Sequence, residues 1–322
     1  MRRIFFLYLL LVLCFPASSL AEAPVFLTEE TFPADDLPAD YLTPVEHCGH
    51  VERVRYTTTD DEPQVKSAMV YLPADYDEQR ETRYNVLYLL HASSGKPKNY
   101  LDPEKATDFQ CLLDHMIENG EFDPLIVVAA TYYPSDGFVQ FLPLAEQVKI
   151  AADFPRELAE DVVPAVESRY RTYALSTDAQ GICVSRNHRA VSGFSLGGTA
   201  AWYVFLQRME AFRWFLPISE ASWDDGEGGI SGIWDSDLSA QTLYDAVLEQ
   251  GYSKRDFRLY VATGTDDEAF DIATRQMISL LKFSDMFIPG ENTSCSMMLG
   301  GTHTLSAVYT YMKHILPTLF QD

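Results

Sequence analysis

The chain has few cysteines, and none of them is paired in sequence. Of its 5 cysteines among 322 residues, those beyond the first stretch of the chain are Cys48, Cys111, Cys183 and Cys295. None stands in a C-x-x-C pair, which excludes the usual signatures of a zinc ribbon and of a redox dithiol. These four allow three disulfide pairings, and buried free thiols are an equally good interpretation. The sequence does not choose between them.

Basic residues are also scarce. Lysine and arginine total 24 against 47 aspartates and glutamates, and the formal net charge is −23. Such a surface repels nucleic-acid phosphates and anionic membranes, so neither is expected as a partner. The simplest interpretation of the charge is solubility outside the cell. The sequence also lacks internal repeats and coiled-coil heptads, and it leaves the oligomeric state open.

Long hydrophobic runs are absent except at the start of the chain. Arg2 and Arg3 precede an apolar run over Ile4–Phe15, and Ser19-Leu20-Ala21 offers a small-x-small cleavage site. The apolar run is too short to span a membrane comfortably. The pattern predicts a secretory signal peptide over residues 1–21, and hence a secreted protein, extracellular or periplasmic, without membrane contact after cleavage.

Beyond residue 21, strand-like runs alternate with helical patterns. The predicted strands are Val51–Thr58, Ser67–Leu72, Asn85–His91, Leu125–Ala130, Arg189–Phe194, Arg213–Ile218, Arg258–Thr263 and Ser294–Leu299. The predicted helices are Phe109–Asn119, Phe154–Tyr170, Thr199–Met209, Leu238–Gln250, Glu268–Phe283 and Thr304–Phe320. Several strands are apolar without alternation, which is typical of strands buried on both faces.

This order of elements predicts one α/β domain over residues 22–322. A hairpin followed by repeated strand–helix units gives a mostly parallel sheet of about eight strands with helices on both faces. Residues 22–50, rich in proline and acid over most of their length, are expected to form an extended N-terminal arm.

The most informative stretch is Gly193-Phe194-Ser195-Leu196-Gly197, which has the form G-x-S-x-G. It follows the strand-like run His188–Ser192 and precedes a helix-forming run. A nucleophile elbow of an α/β-hydrolase requires this context, because flanking glycines tolerate a tight turn that projects the serine above the sheet. The pattern predicts Ser195 as a nucleophile and the backbone N–H of Leu196 as an oxyanion donor.

A serine nucleophile needs a base, and in this fold the histidine follows the serine in the chain. Only His303 and His314 come after Ser195. His303 lies in a loop after the last predicted strand, whereas His314 lies inside the final helix. A loop at a strand end can reach the elbow, so we expect His303 to be the base.

The acid that orients the base is expected after the strand Arg258–Thr263. Asp266, Asp267 and Glu268 are adjacent there. One of them can accept a hydrogen bond from His303 Nδ1, and the others can cap the next helix. Spacing favours Asp267 only slightly over Asp266. The ligand spacing is not that of an EF-hand, and we predict neither a metal nor a cofactor.

Two further loops leave the predicted sheet at the same edge. In His91-Ala92-Ser93-Ser94-Gly95, small residues suit an inward-turned backbone, and we expect Ser93 to supply the second oxyanion donor, with His91 bracing the loop. The loop Thr131–Phe141 carries aromatic residues, among them Tyr132, Tyr133 and Phe138. They are candidates for a substrate-binding wall that stacks on an aromatic or sugar ring, and local packing is an equally good interpretation.

Several motifs together point to a family. They are Phe154–Tyr170, Ser185–Arg189, Gly193–Gly198, Gly264–Asp267 and Gly301–His303. They resemble the esterase D-like branch of α/β-hydrolases, and within it the feruloyl and acetylxylan esterases of carbohydrate esterase family one. The resemblance implies a triad of Ser195, Asp267 and His303, an oxyanion hole from Leu196 and Ser93, and no cofactor. It places Asp267 clearly above Asp266.

The chain departs from the family pattern at three places. Ala92 stands where the family usually has glycine, and Thr304 follows the histidine where tryptophan is frequent. Ser219-Glu220-Ala221 replaces a frequent S-G-D. Glu220 therefore brings another carboxylate near the expected pocket, both as a candidate substrate contact and as a rival to Asp267.

These observations predict a secreted serine carboxylic-ester hydrolase that removes feruloyl or acetyl groups from plant cell-wall xylan. One alternative is an esterase of other small acyl, siderophore or thioester substrates. The other is an inactive carbohydrate-binding homologue, which the intact Ser195, Asp267 and His303 argue against.

Overall fold

The computed structural model describes residues 30–79, 81–134 and 139–321. The predicted signal peptide and the start of the expected N-terminal arm lie outside these ranges and stay predictions. Within the ranges, none of the helices combines the length and the apolarity that a membrane crossing needs. The four cysteines named above are free thiols, two of them buried.

The described residues form nine strands that pair into one sheet: β1 Glu30–Pro33, β2 His50–Thr57, β3 Val65–Leu72, β4 Val86–Leu90, β5 Ile126–Ala130, β6 Arg189–Phe194, β7 Trp214–Ile218, β8 Arg258–Gly264 and β9 Thr293–Leu299. Their order in the sheet is β1-β9-β8-β7-β6-β4-β5-β3-β2. β3 runs antiparallel to β2 and to β5, and the other pairings are parallel. All eight predicted strands are present.

β1 is the strand that the sequence did not predict. It comes from the expected N-terminal arm and lies parallel to β9 at the edge of the sheet, with Glu30 opposite Ser296. The ring of Phe32 stacks on the imidazole of His314, with 3.6 Å between the ring centroids. His314 also pairs with Glu30 and Asp36 through its two ring nitrogens, each at 2.8 Å. His314 of the final helix therefore binds the N-terminal segment through Phe32, Glu30 and Asp36.

Eight α-helices flank the sheet within the described residues: α1 Asp108–Glu118, α2 Leu144–Glu157, α3 Val163–Glu167, α4 Ala179–Val184, α5 Leu196–Gln207, α6 Ser236–Glu249, α7 Phe270–Leu280 and α8 Leu305–Ile315. Helix α1 begins after Thr107, whose hydroxyl caps the Gln110 N–H. Short helix α4 was not predicted. Helices on both faces of a mostly parallel sheet confirm the predicted α/β-hydrolase fold class.

The helix predicted over Phe154–Tyr170 begins ten residues earlier than expected, since α2 starts at Leu144. Pro155 lies in the first turn of the predicted helix, where proline is typical. Here it lies inside the helix, where it cannot donate to the preceding turn. The backbone then widens into a π-helical turn over Leu158–Val162 before α3 continues.

The core has two layers, one on each face of the sheet. Alternate residues of β4 belong to different layers: Tyr88 to the layer that contains the buried residues of α2, α5, α6 and α7, and Leu87 to the layer that contains those of α1 and α8. This two-sided burial explains why the central strands are apolar without alternation. Because β4, β6, β7, β8 and β9 are parallel, the loops after them meet at one edge of the sheet.

Candidate active site

Ser195 stands at the sharp turn between β6 and α5. Its backbone has φ 56° and ψ −126°, a conformation that costs a non-glycine residue about 1–3 kcal/mol. A Cβ on Gly193 would overlap the carbonyl of Gly197, and one on Gly197 would overlap that of Leu90. The Ser195 N–H donates to the Ile218 carbonyl at 3.0 Å. The two glycines thus permit an elbow that presents the serine at the sheet edge.

His303 and Asp267 are hydrogen-bonded to each other. His303 Nδ1 donates to Asp267 Oδ1 at 2.8 Å, and the same oxygen accepts the Ala269 N–H at 2.8 Å. Asp267 is buried, whereas Asp266 is exposed, and within the described residues its carboxylate accepts a hydrogen bond only from the hydroxyl of its neighbour Thr265. The carboxylate therefore fixes the proton of the neutral imidazole on Nδ1 and leaves Nε2 free to accept one.

The electrostatics of this pair favour the charged forms. Burial pushes the pKa of Asp267 upward, but the hydrogen bonds from His303 and Ala269 outweigh it and hold that pKa below its usual value. Burial pushes the pKa of His303 downward, but the hydrogen bond and charge of Asp267 raise it above its usual value. Such an imidazole accepts a proton readily, as a general base must.

Ser195 and His303 both line one cleft of about 390 Å³. Its other lining residues come from the loop after β4, from β6 and from the two loops near His303: His91, Ala92, Ser93, Ser94, Gly95, Asn99, Tyr100, Phe194, Glu268 and Leu305. Leu196 is the first residue of α5, so its N–H has no acceptor within that helix. Ser93 lines the cleft and Leu196 directly follows Ser195 in the chain, and their role as oxyanion donors stays a prediction.

Glu220 is buried and does not line the described part of the cleft. Its Oε1 accepts the Ala221 N–H at 3.0 Å, and burial raises the pKa of Glu220 to about 7. Its charge acts on His303, yet within the described residues the imidazole bonds Asp267 and not Glu220. The role of Glu220 in substrate binding stays a prediction.

Tyr132 and Tyr133 make local packing contacts, and their role in substrate binding stays a prediction. Both are buried behind the loop after β4, and neither lines the described part of the cleft. Tyr132 OH donates to the His91 carbonyl at 2.8 Å, and Tyr133 OH donates to the Ser93 carbonyl. A buried phenol needs a hydrogen-bond partner, and the loop carbonyls supply it. Phe138 lies outside the described residues, so its role stays a prediction.

The sequence did not single out some of the residues that shape the cleft. Asn99, Tyr100 and Leu305 carry no motif, and only the fold brings them beside Ser195. Among the residues that the structure describes, no group of three or more His, Cys, Asp or Glu side chains is arranged to hold a metal ion.

Comparisons with known proteins agree on one family. The Esterase family model, described as "Putative esterase", matches residues 63–307. Endo-1,4-beta-xylanase Y of Acetivibrio thermocellus is 32% identical over 290 residues, which are 88% of this chain and 24% of the relative. An endo-1,4-beta-xylanase/feruloyl esterase of Xylanibacter ruminicola is 25% identical over 182 residues, which are 56% of this chain and 22% of that protein. The chain thus spans about a quarter of the length of these relatives.

Solved structures give the same result. A mutant of the feruloyl esterase module from Clostridium thermocellum, complexed with sinapinate, has a TM-score of 0.75 and 30% identity, and the match covers 91% of this chain and 96% of that one. A CE1 ferulic acid esterase from the anaerobic fungus Anaeromyces mucronatus shares the fold, with a TM-score of 0.66 and 20% identity over 88% and 96% of the two chains. This chain belongs to the esterase family of α/β-hydrolases and is a serine carboxylic-ester hydrolase.

Proposed function

We propose that this chain removes hydroxycinnamoyl groups, of which ferulate is the type, from xylan through a triad of Ser195, His303 and Asp267. The observation that carries the proposal is the 2.8 Å bond between His303 Nδ1 and Asp267 Oδ1, beside a serine held in a strained elbow in the same cleft. A base oriented by an acid in the same cleft as a partly exposed serine hydroxyl is the arrangement that acyl transfer requires.

The reaction follows in two steps. Ser195 Oγ attacks the ester carbonyl carbon and gives its proton to His303 Nε2, while the carbonyl oxygen becomes an oxyanion on the N–H groups of Leu196 and Ser93. The tetrahedral intermediate then expels the sugar alcohol, which takes the proton from Nε2. Water attacks the acyl-serine, passes one proton through Nε2 to Ser195 Oγ, and releases the carboxylic acid. Asp267 holds the imidazole and balances its positive charge throughout.

The aromatic acyl group is supported by the relatives and by the cleft. One relative is named a feruloyl esterase, and another structure holds sinapinate, an aromatic acid. The cleft offers ring and aliphatic surface from Phe194, Tyr100 and Leu305, with Asn99 and Ser94 as polar neighbours. Flat apolar surface with a few polar groups suits a hydroxylated aromatic ring. Acetyl groups on xylan are the second candidate, since the sequence resemblance covers both.

Release of acids from natural polymers tests the assignment. The purified chain should release ferulate from feruloylated arabinoxylan faster than acetate from acetylated xylan, and Ser195→Ala should release neither. Release of acetate without ferulate would show that the preferred acyl group is acetyl. Hydrolysis of 4-nitrophenyl acetate without either release would leave a serine esterase with another substrate. A wild-type protein inactive on every ester would overturn the proposal.

We also propose that the chain is secreted. The apolar run behind Arg2 and Arg3 and the net charge of −23 support this location. Expression of the full chain in a bacterial host, followed by N-terminal sequencing of exported protein, should give a mature chain that begins at Glu22. An intact N-terminus on protein retained in the cytoplasm would contradict it.

A further inference from the structure

The peptide unit between Ala92 and Ser93 carries the proposed oxyanion donor. In a trans peptide, the C=O and the N–H of one unit point in opposite directions, and none of the described peptide bonds is cis. The direction of the Ala92 carbonyl therefore determines the direction of the Ser93 N–H. Any group that holds this carbonyl on the protein side aims the N–H at the opposite side.

Several donors hold the loop carbonyls from the protein side. His91 Nδ1 and the Gly95 N–H each donate to the Ala92 carbonyl at 2.8 Å. The carbonyls on either side are held as well, His91 by Tyr132 OH at 2.8 Å and Ser93 by Tyr133 OH. Three consecutive carbonyls thus each have a donor within the protein, and the N–H groups of the same peptide units lie on the opposite side.

The bond from His91 depends on its tautomer. Because a carbonyl only accepts, Nδ1 must carry the proton, and Nε2 of a neutral ring must then accept one. Nε2 lies 2.8 Å from Thr131 Oγ1, whose hydroxyl can donate to it. The same hydroxyl oxygen accepts the Tyr133 N–H at 3.1 Å, which fixes it in place. Burial lowers the pKa of His91 to about 4, so the ring is neutral in the pH range where an esterase works.

We propose that Thr131 and His91 are positioning residues of this esterase. The chain of bonds runs from Thr131 Oγ1–H to His91 Nε2, and from His91 Nδ1–H to the Ala92 carbonyl. The chain of bonds ends at the Ser93 N–H and directs this N–H toward the oxyanion. It also makes the N–H a stronger donor, because consecutive hydrogen bonds polarise one another. The inference rests on the proposed function in one respect, that Ser93 donates to the oxyanion.

His91 therefore acts through the loop and not as a second base. It is 1% exposed, and both of its ring nitrogens are engaged. Without the hydroxyl of Thr131, Nε2 loses the donor that fixes both the tautomer and the orientation of the ring. In the other tautomer, Nδ1 and the Ala92 carbonyl are both acceptors, and the peptide that carries the Ser93 N–H loses its anchor.

The test compares Thr131→Val with Thr131→Ser. Valine keeps the shape and removes the hydroxyl, and serine keeps the hydroxyl. On 4-nitrophenyl acetate, we expect kcat to fall about 10-fold or more in Thr131→Val with KM nearly unchanged, less than the loss of about 10²–10³ caused by removing an oxyanion donor outright. Thr131→Ser should keep most of the wild-type kcat. If valine prevents folding, Thr131→Ala removes the same hydroxyl with less bulk.

Thr172→Val is the matched control. Its hydroxyl also accepts a backbone N–H two residues on, from Ala174, and donates to a buried side chain, Glu167. The control should lose thermal stability without losing kcat. A second readout is inhibition by an arylboronic acid, whose tetrahedral adduct needs the oxyanion donors. In Thr131→Val its Ki should rise with the loss of kcat, while the Ki of the carboxylate product stays unchanged.

Two outcomes overturn the inference. One is a wild-type kcat and boronate Ki in Thr131→Val, and the other is a loss that Thr131→Ser shares in full. Ser195→Ala distinguishes this failure from that of the proposed function. An inactive Ser195→Ala beside a fully active Thr131→Val removes only the positioning role, whereas an active Ser195→Ala removes the mechanism on which it depends.

Discussion

Strand β6 has a buried polar cluster at each end, and the two are built differently. At its amino end, Arg189 is 1% exposed, and all five of its N–H donors have acceptors. Two of them reach the carboxylate of Glu167 at 2.6 and 3.0 Å. The hydroxyls of Tyr88 and Thr172 also donate hydrogen bonds to that carboxylate, at 3.0 and 3.1 Å. The cluster leaves nothing for a ligand to bind.

At the carboxyl end, the backbone is strained and polar atoms lack partners. Ser195 and Ser219 have φ angles of 56° and 52°. Thr199 Oγ1 and Thr263 Oγ1 are buried without a hydrogen-bond partner among the described residues. Buried polar atoms are rarely left so, and strained residues concentrate at functional sites. The amino-end cluster therefore stabilises the fold, whereas the carboxyl-end cluster leaves polar groups available for catalysis.

The largest effect should come from the strained serine. Ser195→Ala removes the nucleophile and should lower kcat by about 10⁶, as loss of the serine does in a well-studied serine protease. The melting temperature should not fall, because no packing is lost and the strained conformation is unchanged. Ester hydrolysis and thermal denaturation of the same preparation check both halves. A variant with a tenth of the wild-type rate would exclude Ser195 as the nucleophile.

The next effect concerns the acid. Asp267→Asn should lower kcat by about 10⁴, because an amide can donate to His303 Nδ1 and favour the wrong tautomer. Steady-state kinetics near neutral pH measure the loss. Asp266→Asn is the control, since that exposed carboxylate does not touch His303 within the described residues and should leave kcat unchanged. Equal losses in the two variants would contradict the assignment.

A change in the amino-end cluster should lower stability and leave kcat unchanged. Glu167→Gln leaves the Arg189 charge buried beside a neutral amide, and should lower the free energy of unfolding by about 3–5 kcal/mol. The kcat of the folded protein should not change, because the cluster lies at the far end of β6. Denaturant unfolding and kinetics on one sample check this. An enzyme of normal stability but low kcat would place Glu167 in the catalytic machinery.

A surface pair provides the comparison for this variant. Lys149 and Asp153 on α2 lie 3.0 Å apart with side chains 74% and 65% exposed. Asp153→Asn should cost under about 1 kcal/mol, because water screens the pair. A similar loss of stability in Asp153→Asn and Glu167→Gln would show that burial of the Arg189 pair adds nothing.

The sequence predicted the strands and the elbow because their signals are local. Buried strands are apolar runs, and the elbow is five consecutive residues. β1 was missed because Glu30–Pro33 buries only one side chain and pairs with residues some 266 positions away, as the bond from Ser296 to Glu30 shows. No local pattern encodes such a partner.

The same limit applies to the site. Asp267 and His303 follow strands of known order, so their meeting could be expected from the chain. The direction of a loop side chain could not. Tyr132 and Tyr133 turn inward because their hydroxyls find the loop carbonyls, and Glu220 turns to the Ala221 N–H. These contacts depend on the packing of several loops and leave no pattern in the sequence.

The smallest effect should come from Glu220. Burial lowers the pKa of His303, but Asp267 raises it above its usual value, and the charges of Glu268 and Glu220 raise it further. Because the base must be neutral, kcat/KM should fall as the pH drops through this pKa. Glu220→Gln removes one charge that raises it, so the acidic limb should move to lower pH. The shift should be only about a few tenths of a unit, because burial keeps Glu220 largely protonated up to about pH 7.

The profile of kcat/KM against pH measures this shift, and Glu268→Gln is the variant to compare with Glu220→Gln. Glu268 lies 4.0 Å from His303 Nε2 with its side chain 83% exposed, so its effect should shrink as salt is added. The shift in Glu220→Gln should persist in salt, because the carboxyl is buried. A limb that moves to higher pH would contradict the assigned sign. A 10⁴-fold loss of kcat in Glu220→Gln, with Asp267→Asn nearly active, would make Glu220 the acid and invert the comparison between the two carboxylates.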